Sequence, residues 1–227
     1  MGSSGTSVNA RRATEDDAAL ISRLLACGPS GISVTAECVR GTIALGSHCF
    51  ILSLDAEILG FVELRAVHPE PERSDAAVVV WMVKRRPLGI GAAALGFILR
   101  YAFCSLGLRE VWGWVRQDNA RMLRLCRHLG VTDNGPWAAD PDFRLLIHAS
   151  GAFANRRAVL GRVEGRVSIR VSGGIQAPAP LQRLRVPVDH SVGQERIAGS
   201  PHANTEARAN DKIRRQRKWR NCQESCR

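Results

Sequence analysis

The sequence predicts an α/β fold, a mixed β-sheet flanked by helices, from three observations. Apolar runs of strand length alternate with segments of helical period between residues 10 and 150. The middle of that stretch reads β-α-β-α-β, an order that implies a mixed sheet with helices on its faces. Two earlier apolar runs are parted only by Asp55-Ala56-Glu57, a turn short enough to make them an antiparallel hairpin.

The first element is a helix. Thr14 can cap it, Glu15, Asp16 and Asp17 sit in the first turn where the helix dipole favours negative charge, and Ala18, Ile21, Leu24 and Leu25 recur at helical spacing. Gly28-Pro29 stops it, and Val34 to Leu45 form a second, weaker helix before Gly46. "HCFILSL" and "ILGFVELRAV" are the hairpin strands and "HPEPERSD" is a charged loop. "AAVVVWMV" is apolar on both faces and belongs in the middle of a sheet. A Gly-containing turn leads into a helix from about Ile90 to Leu106, with Ile90, Ala94, Phe97, Ile98 and Tyr101 on one stripe. "REVWGWV" is the next strand, "DNARMLRLCRHLG" a helix closed by Gly130, and "DFRLLIH" the last strand.

Charge divides the chain. Residues 1–150 carry 16 basic and 15 acidic residues, whereas residues 151–227 carry 16 and 6, so nearly all of the net +11 belongs to the last third. Residues 1–9 read as a flexible leader, 10–150 as the folded domain, and 151–227 as a basic, largely disordered tail in which only "GRVEGRVSIRV" alternates like a strand. "KIRRQRKWR", residues 212–220, interleaves Trp219 with basic side chains. That pattern suits an RNA or ribosome contact, phosphate attraction plus a stacking ring, and equally a solvated tail.

The seven cysteines form no CxxC pair, which points to reduced thiols in a cytoplasmic setting and to no metal site. Lys84 and Arg100 interrupt the longest apolar segments before they reach bilayer-crossing length, so no membrane span is expected. "MGSSGT" fits the N-myristoylation pattern through Gly2 and Thr6, but one acyl chain without a second signal anchors only weakly, and the same residues read as a leader.

The chemistry concentrates where Trp81, Met82 and Val83 end the central strand and Lys84-Arg85-Arg86-Pro87-Leu88-Gly89-Ile90-Gly91 turns into a helix. Glycines without Cβ let backbone amides crowd a ligand, and a helix N-terminus offers unpaired N–H groups and partial positive charge. An anionic phosphate is the natural guest. The spacing Arg86-x-x-Gly89-x-Gly91 resembles the R/Q-x-x-G-x-G/A signature of the GNAT acetyltransferase superfamily, whose turn wraps the pyrophosphate of acetyl-coenzyme A (acetyl-CoA). The later helix adds to the likeness, since Asn119 opens it and Gly130 closes it eleven residues on, and "ILRYAFCSLGLREVWGWV" is similar to the subgroup of ribosomal-protein-alanine N-acetyltransferases. The resemblance covers roughly residues 10–148.

It implies a GNAT-like fold and a site in which Trp81, Met82 and Val83 lend their backbone to the pantetheine arm. Arg86, Leu88, Gly89, Ile90, Gly91 and Ala92 would hold the diphosphate, and Asn119 would bond the cofactor near the thioester. The implied activity is acetyl-CoA-dependent N-acetylation of a primary amine, on a protein N-terminus or a small molecule, by direct attack in a ternary complex. Such attack needs a base for the amine's proton and an acid for the departing thiolate. The family often carries a Tyr seven residues after the Asn; here that place holds Cys126, on the helix face that Asn119 shares. A thiol can donate a proton, but Cys126 reads first as a small buried residue beside Met122 and Leu129. Tyr101, the one Tyr of the chain, belongs to the core stripe. The candidate bases are Glu63 on the hairpin strand and Asp75 at the start of the central strand, with a solvated strand residue near Arg65 and a turn former as their structural alternatives. His48, His128 and His148 follow them. The missing Tyr and the "LGV" around Gly130 keep a second reading open, a catalytically silent acyl-CoA-binding or nucleic-acid-binding module.

Overall fold

Alternating apolar positions build eight strands of one mixed sheet, in a computed structural model that describes residues 6–27, 34–70, 73–83, 88–137, 140–154 and 167–172. In chain order these are β1 (Thr6–Arg12), α1 (Ala18–Ala26), α2 (Ala36–Ala44), β2 (His48–Leu54), β3 (Glu57–Glu70), β4 (Arg73–Met82), α3 (Ile90–Arg100), β5 (Glu110–Arg116), α4 (Ala120–His128), β6 (Thr132–Trp137), β7 (Asp140–Ala149), α5 (Ser150–Ala154) and β8 (Val167–Ser172). The strands lie in the order β6-β7-β5-β4-β3-β2-β1-β8, with β4–β5 and β1–β8 parallel and the other neighbours antiparallel.

The local signals act as read. Thr14 and Asp17 form a capping box ahead of α1, and Arg11 grips the Asp17 carboxylate at 2.6 and 2.7 Å. Thr35 caps α2 by accepting the Cys38 N–H. Asp55 and Ala56 both take positive φ, the conformation of a two-residue turn that matches strand twist, and so close the β2–β3 hairpin.

Successive side chains point to opposite faces of the sheet and give it two sides. Cys49, Ile51 and Phe61 pack with Ala18, Ile21, Leu25 and Val39, so α1 and α2 cover one face, with Val79 and Trp81 at its border. Phe50 meets Phe97 and Tyr101 edge-on on the other face, which α3 and α4 cover. The stripe predicted on α3 is buried throughout, and a π-helical turn at Tyr101–Ser105 prolongs the helix.

Four boundaries differ from the sequence reading. Residues 6–9, assigned to a leader, are half of β1, because Val8 and Ala10 are wholly buried beside β2. "HPEPERSD" is mostly strand: β3 continues to Glu70 through a bulge at Ala66, and β4 starts at Arg73 opposite it. Thr132–Trp137 forms the edge strand β6, although Pro136 and Gly135 disguise it as loop. Residues 167–172, assigned to the tail, pair in parallel with β1, and Val167 is buried. Gly28-Pro29, Lys84 to Pro87 with Arg86, and residues 173–227 with the segment 212–220 lie outside the described residues.

Candidate functional site

The parallel ladder between β4 and β5 ends early. It joins Asp75 to Glu110, Ala76 to Val111 and Ala77 to Trp112, while β4 continues to Met82 and β5 to Arg116. Beyond Ala77 the two strands part. Into the gap, on the α3–α4 side, opens a cavity of about 80 Å³ lined by Val78, Val80, Gly113, Leu95, Cys126 and His148.

Ladder geometry says which backbone groups face this gap. The Val83 N–H donates to the Leu59 carbonyl at 2.8 Å, so in an antiparallel pair with unbroken register Val83 and Trp81 turn their polar groups to β3. Val78, Val80 and Met82 turn theirs to the gap. The Val78 carbonyl lies 3.2 Å from the place a Cβ on Gly113 would take. Of the three residues predicted to lend backbone, Met82 is therefore the one aimed at the gap. Trp81 instead stacks its ring on Phe61, with centroids 6.2 Å apart, on the α1–α2 face.

α3 reaches the cavity through Leu95, and its N-terminus starts at Gly89, where an added Cβ would lie 3.5 Å from Val167 Cγ2 of β8. Gly89 holds φ +92°, a left-handed conformation that L side chains rarely adopt, and no side chain caps the first turn. The first-turn amides, Gly91 and Ala92 among them, thus have no intrahelical partner, and Leu88 ahead of them is 83% exposed. This arrangement fits a phosphate-bearing group: the dipole is favourable and a Cβ is missing where close approach is needed.

The proton-handling candidates divide between the two faces. Glu63 pairs with Val79, level with the gap, on the face of α1 and α2. It is 3% exposed and ion-paired to Arg65 at 2.7 Å, so it is a buried, charge-compensated group rather than a solvated one. Asp75 also is buried, but inside β4 where β4 and β5 are still bonded, and so is neither a turn former nor level with the gap. Cys126 lies on the opposite face, buried on α4, and burial pushes its thiol up to about 11. Such a thiol holds its proton more tightly than an ordinary one, which weakens it as an acid. Cys126 and Leu146 also wall off a second, more open cavity of about 340 Å³ that contains the Asp133–Arg144 ion pair.

Asn119 opens α4 as its N-cap, with Oδ1 accepting the Met122 N–H at 3.1 Å, and the residue is exposed. Tyr101 is engaged with His48, hydroxyl to Nδ1, at 2.8 Å. His128 is exposed on α4, whereas His148 on β7 lines the cavity, and burial lowers its imidazole to about 4. It is a neutral ring at physiological pH. Among the described residues no three metal-ligating side chains cluster, and no helix is long and apolar enough to cross a membrane.

Sequence reasoning passed over Gly113 and the indoles beside it. The signal was legible: a glycine inside the strand "VWGWV" marks a close approach of something to the backbone. Nothing local in the sequence separates a cavity-lining His such as His148 from any other strand residue.

Comparison with known proteins agrees with this geometry. The model of the acetyltransferase (GNAT) domain matches residues 11–132. Among solved structures, a spermidine N-acetyltransferase, SpeG, from Vibrio cholerae superposes with a TM-score of 0.57 at 16% identity, covering 66% of this chain and 98% of its own. RimJ from Mycobacterium smegmatis, in complex with CoA-disulfide, gives 0.52 at 20% identity, covering 67% and 88%. No curated protein matches the sequence. The gap between β4 and β5, the glycine-led α3 and the matched domain lead to one conclusion: the chain belongs to the GNAT acetyltransferases, enzymes that transfer an acyl group from coenzyme A to an amine.

Proposed function

We propose that the gap between β4 and β5 and the N-terminus of α3 together hold acetyl-CoA, and that a primary amine reaches it from the α1–α2 face. The observation that carries this reading is the early end of the β4–β5 ladder beside a helix whose first-turn amides no side chain caps. Gly89, Ile90, Gly91 and Ala92 hold the diphosphate with their backbone, Leu88 precedes them, Arg86 of the same turn adds positive charge by its sequence position, and Met82 and Val80 present backbone groups to the extended arm. Asn119 stands at the head of α4 on the same side. When bound, acetyl-CoA supplies an activated thioester carbonyl.

Glu63, positioned by Arg65, is the carboxylate that receives the amine's proton, since Asp75 sits at the closed end. Cys126 stands on the far side of the gap from Glu63, where the thiolate departs, and acts first as an apolar wall. The acceptor is a protein N-terminus or a small amine. SpeG is by its name a spermidine acetyltransferase, so the small-amine choice has a structural relative behind it.

The deciding experiment measures acetyl-CoA binding by calorimetry and free-thiol release with an amine panel. Binding together with amine-dependent release supports the reading, and absence of binding ends it. Glu63→Gln should lower kcat/KM far more than Asp75→Asn does, with circular dichroism on both because Arg65 loses the Glu63 carboxylate in the first.

A further inference from the structure

β8 lies outside the matched domain of residues 11–132, yet it closes on the turn into α3. The β1–β8 ladder pairs Thr6 with Val167, Val8 with Ile169 and Ala10 with Val171, so the three apolar residues of β8 share one face with Val8 and Ala10. Ala10 lies opposite Leu52 and Arg12 opposite Phe50, whose ring meets Phe97, which puts that face against α3. Register fixes the end as well. Asn9 pairs with Ser53, Leu52 with Gly60 and Gly60 with Met82, so Val167 stands at the end of the sheet where β4 stops.

There Val167 is buried, and its Cγ2 is in ordinary van der Waals reach, 3.5 Å, of the place a Cβ on Gly89 would take. Gly89 needs such a neighbour. Its φ of +92° is one of several basins open to a glycine, and it has no side chain of its own to pack. The Ala93 N–H donates to the Gly89 carbonyl at 2.9 Å and Ile90 is fully buried, so the helix side of the turn is fixed, while Leu88 on the other side is exposed. Amides that must converge on one anion bind it well when they are held in place before it arrives.

Resting on the proposed acetyl-CoA site, we propose that Val167 is a positioning residue for the cofactor: its isopropyl group holds Gly89 in the left-handed conformation that aims the first-turn amides at the diphosphate. β8 thereby belongs to the cofactor site, acting through Gly89 rather than by touching the cofactor. Docking of Val167 on the turn and binding of acetyl-CoA favour each other by the same factor.

The test uses the full-length protein. Val167→Ala removes both methyl groups and should weaken acetyl-CoA binding about tenfold by calorimetry, raising its KM to match, with kcat and the KM for the amine unchanged. Val167→Thr keeps the branched shape but loses apolar burial, so it should lower the urea midpoint as Val167→Ala does and still bind acetyl-CoA within about threefold of wild type. Ile169→Ala, about 7 Å further along the strand, should also lower the midpoint and leave the affinity in place. In wild type, acetyl-CoA should slow hydrogen exchange of the β8 amides, and in Val167→Ala it should not. Wild-type affinity in Val167→Ala, affinities of the three variants that simply follow their urea midpoints, or β8 exchange indifferent to acetyl-CoA each overturn the proposal. Should Val167→Ala not fold, the comparison of Val167→Thr with Ile169→Ala and the exchange in wild type decide. Wild type that fails to bind acetyl-CoA ends the cofactor site and this proposal together, whereas binding that Val167→Ala leaves intact ends this proposal alone.

Discussion

Gly113 and Val78 face each other at the point where β4 and β5 part: a Cβ on Gly113 would lie 3.1 Å from Val78 Cγ1 and 3.2 Å from the Val78 carbonyl oxygen. The absence of a side chain there keeps the floor of the gap open. Gly113→Val should weaken acetyl-CoA binding by about tenfold or more by filling that floor, with an overpacking cost of about 1–3 kcal/mol. Calorimetry on folded variant checks it, and unchanged affinity would place the cofactor elsewhere.

The turn into α3 makes a second expectation. Gly89→Glu puts a side chain at φ +92°, with its Cβ against Val167, and adds negative charge at the α3 N-terminus, so affinity for acetyl-CoA should fall by about tenfold or more in a variant that still folds. Asn119→Ala should cost about 1 kcal/mol of stability from the lost helix cap, whereas Asn119→Asp keeps a capping oxygen. If the Asn119 amide touches the cofactor, both variants lose affinity and only the first loses stability.

Cys126 is the least reactive thiol to expect at such a site. With its proton held up to about 11, alkylation near neutral pH should reach the exposed Cys27 long before it reaches Cys126, a difference peptide mapping resolves. Cys126→Ala should lower stability by about 1 kcal/mol through the small cavity it leaves, and lower kcat by less than about threefold. A much larger loss of kcat with unchanged cofactor affinity would return Cys126 to the role of acid.

Acid should destabilise the protein through His148. Its folded value is depressed to about 4 against 6.5 for the free ring, so the unfolded chain takes up the proton first. The stability is full above pH 6.5, declines as pH falls towards 4, and amounts to about 3 kcal/mol. His48, lowered mainly by burial, acts in the same direction. Urea unfolding of wild type and His148→Gln across that window should show a shallower slope in the variant.

The edge strand β8 predicts where the chain can be cut. Ending it at Ser150 removes β8 and the burial of Val167 against the sheet, which should lower Tm by about 5 °C or more. Ending it at Ser172 keeps that strand and removes residues 212–220. If those residues contact RNA, only the full chain should bind RNA, and salt should release it steeply.

Much of the fold was legible because its signals are local. Helical period, the Thr14 cap, the short turn after Leu54 and the glycine-led entry to α3 each depend on a few neighbouring residues, and each formed as read. The misread segments lack that local signature. β1 and β6 are polar or interrupted by Pro and Gly, and become strands only because a partner strand offers hydrogen bonds and a surface to bury one or two side chains, whereas β8 alternates like a strand and only its place beside β1 was hidden.

The sequence by itself determined the order of the elements from α1 through α4, the phosphate-suited turn and a short set of candidate side chains. Only the tertiary structure decided where the β4–β5 ladder stops, and with it which backbone groups of β4 face a ligand. It also set Glu63 and Cys126 on opposite faces of one gap, drew His148 into the cavity and laid Val167 of β8 against Gly89. These outcomes rest on strand register and on burial, which sum contacts between residues far apart in the chain, and no window of sequence contains them.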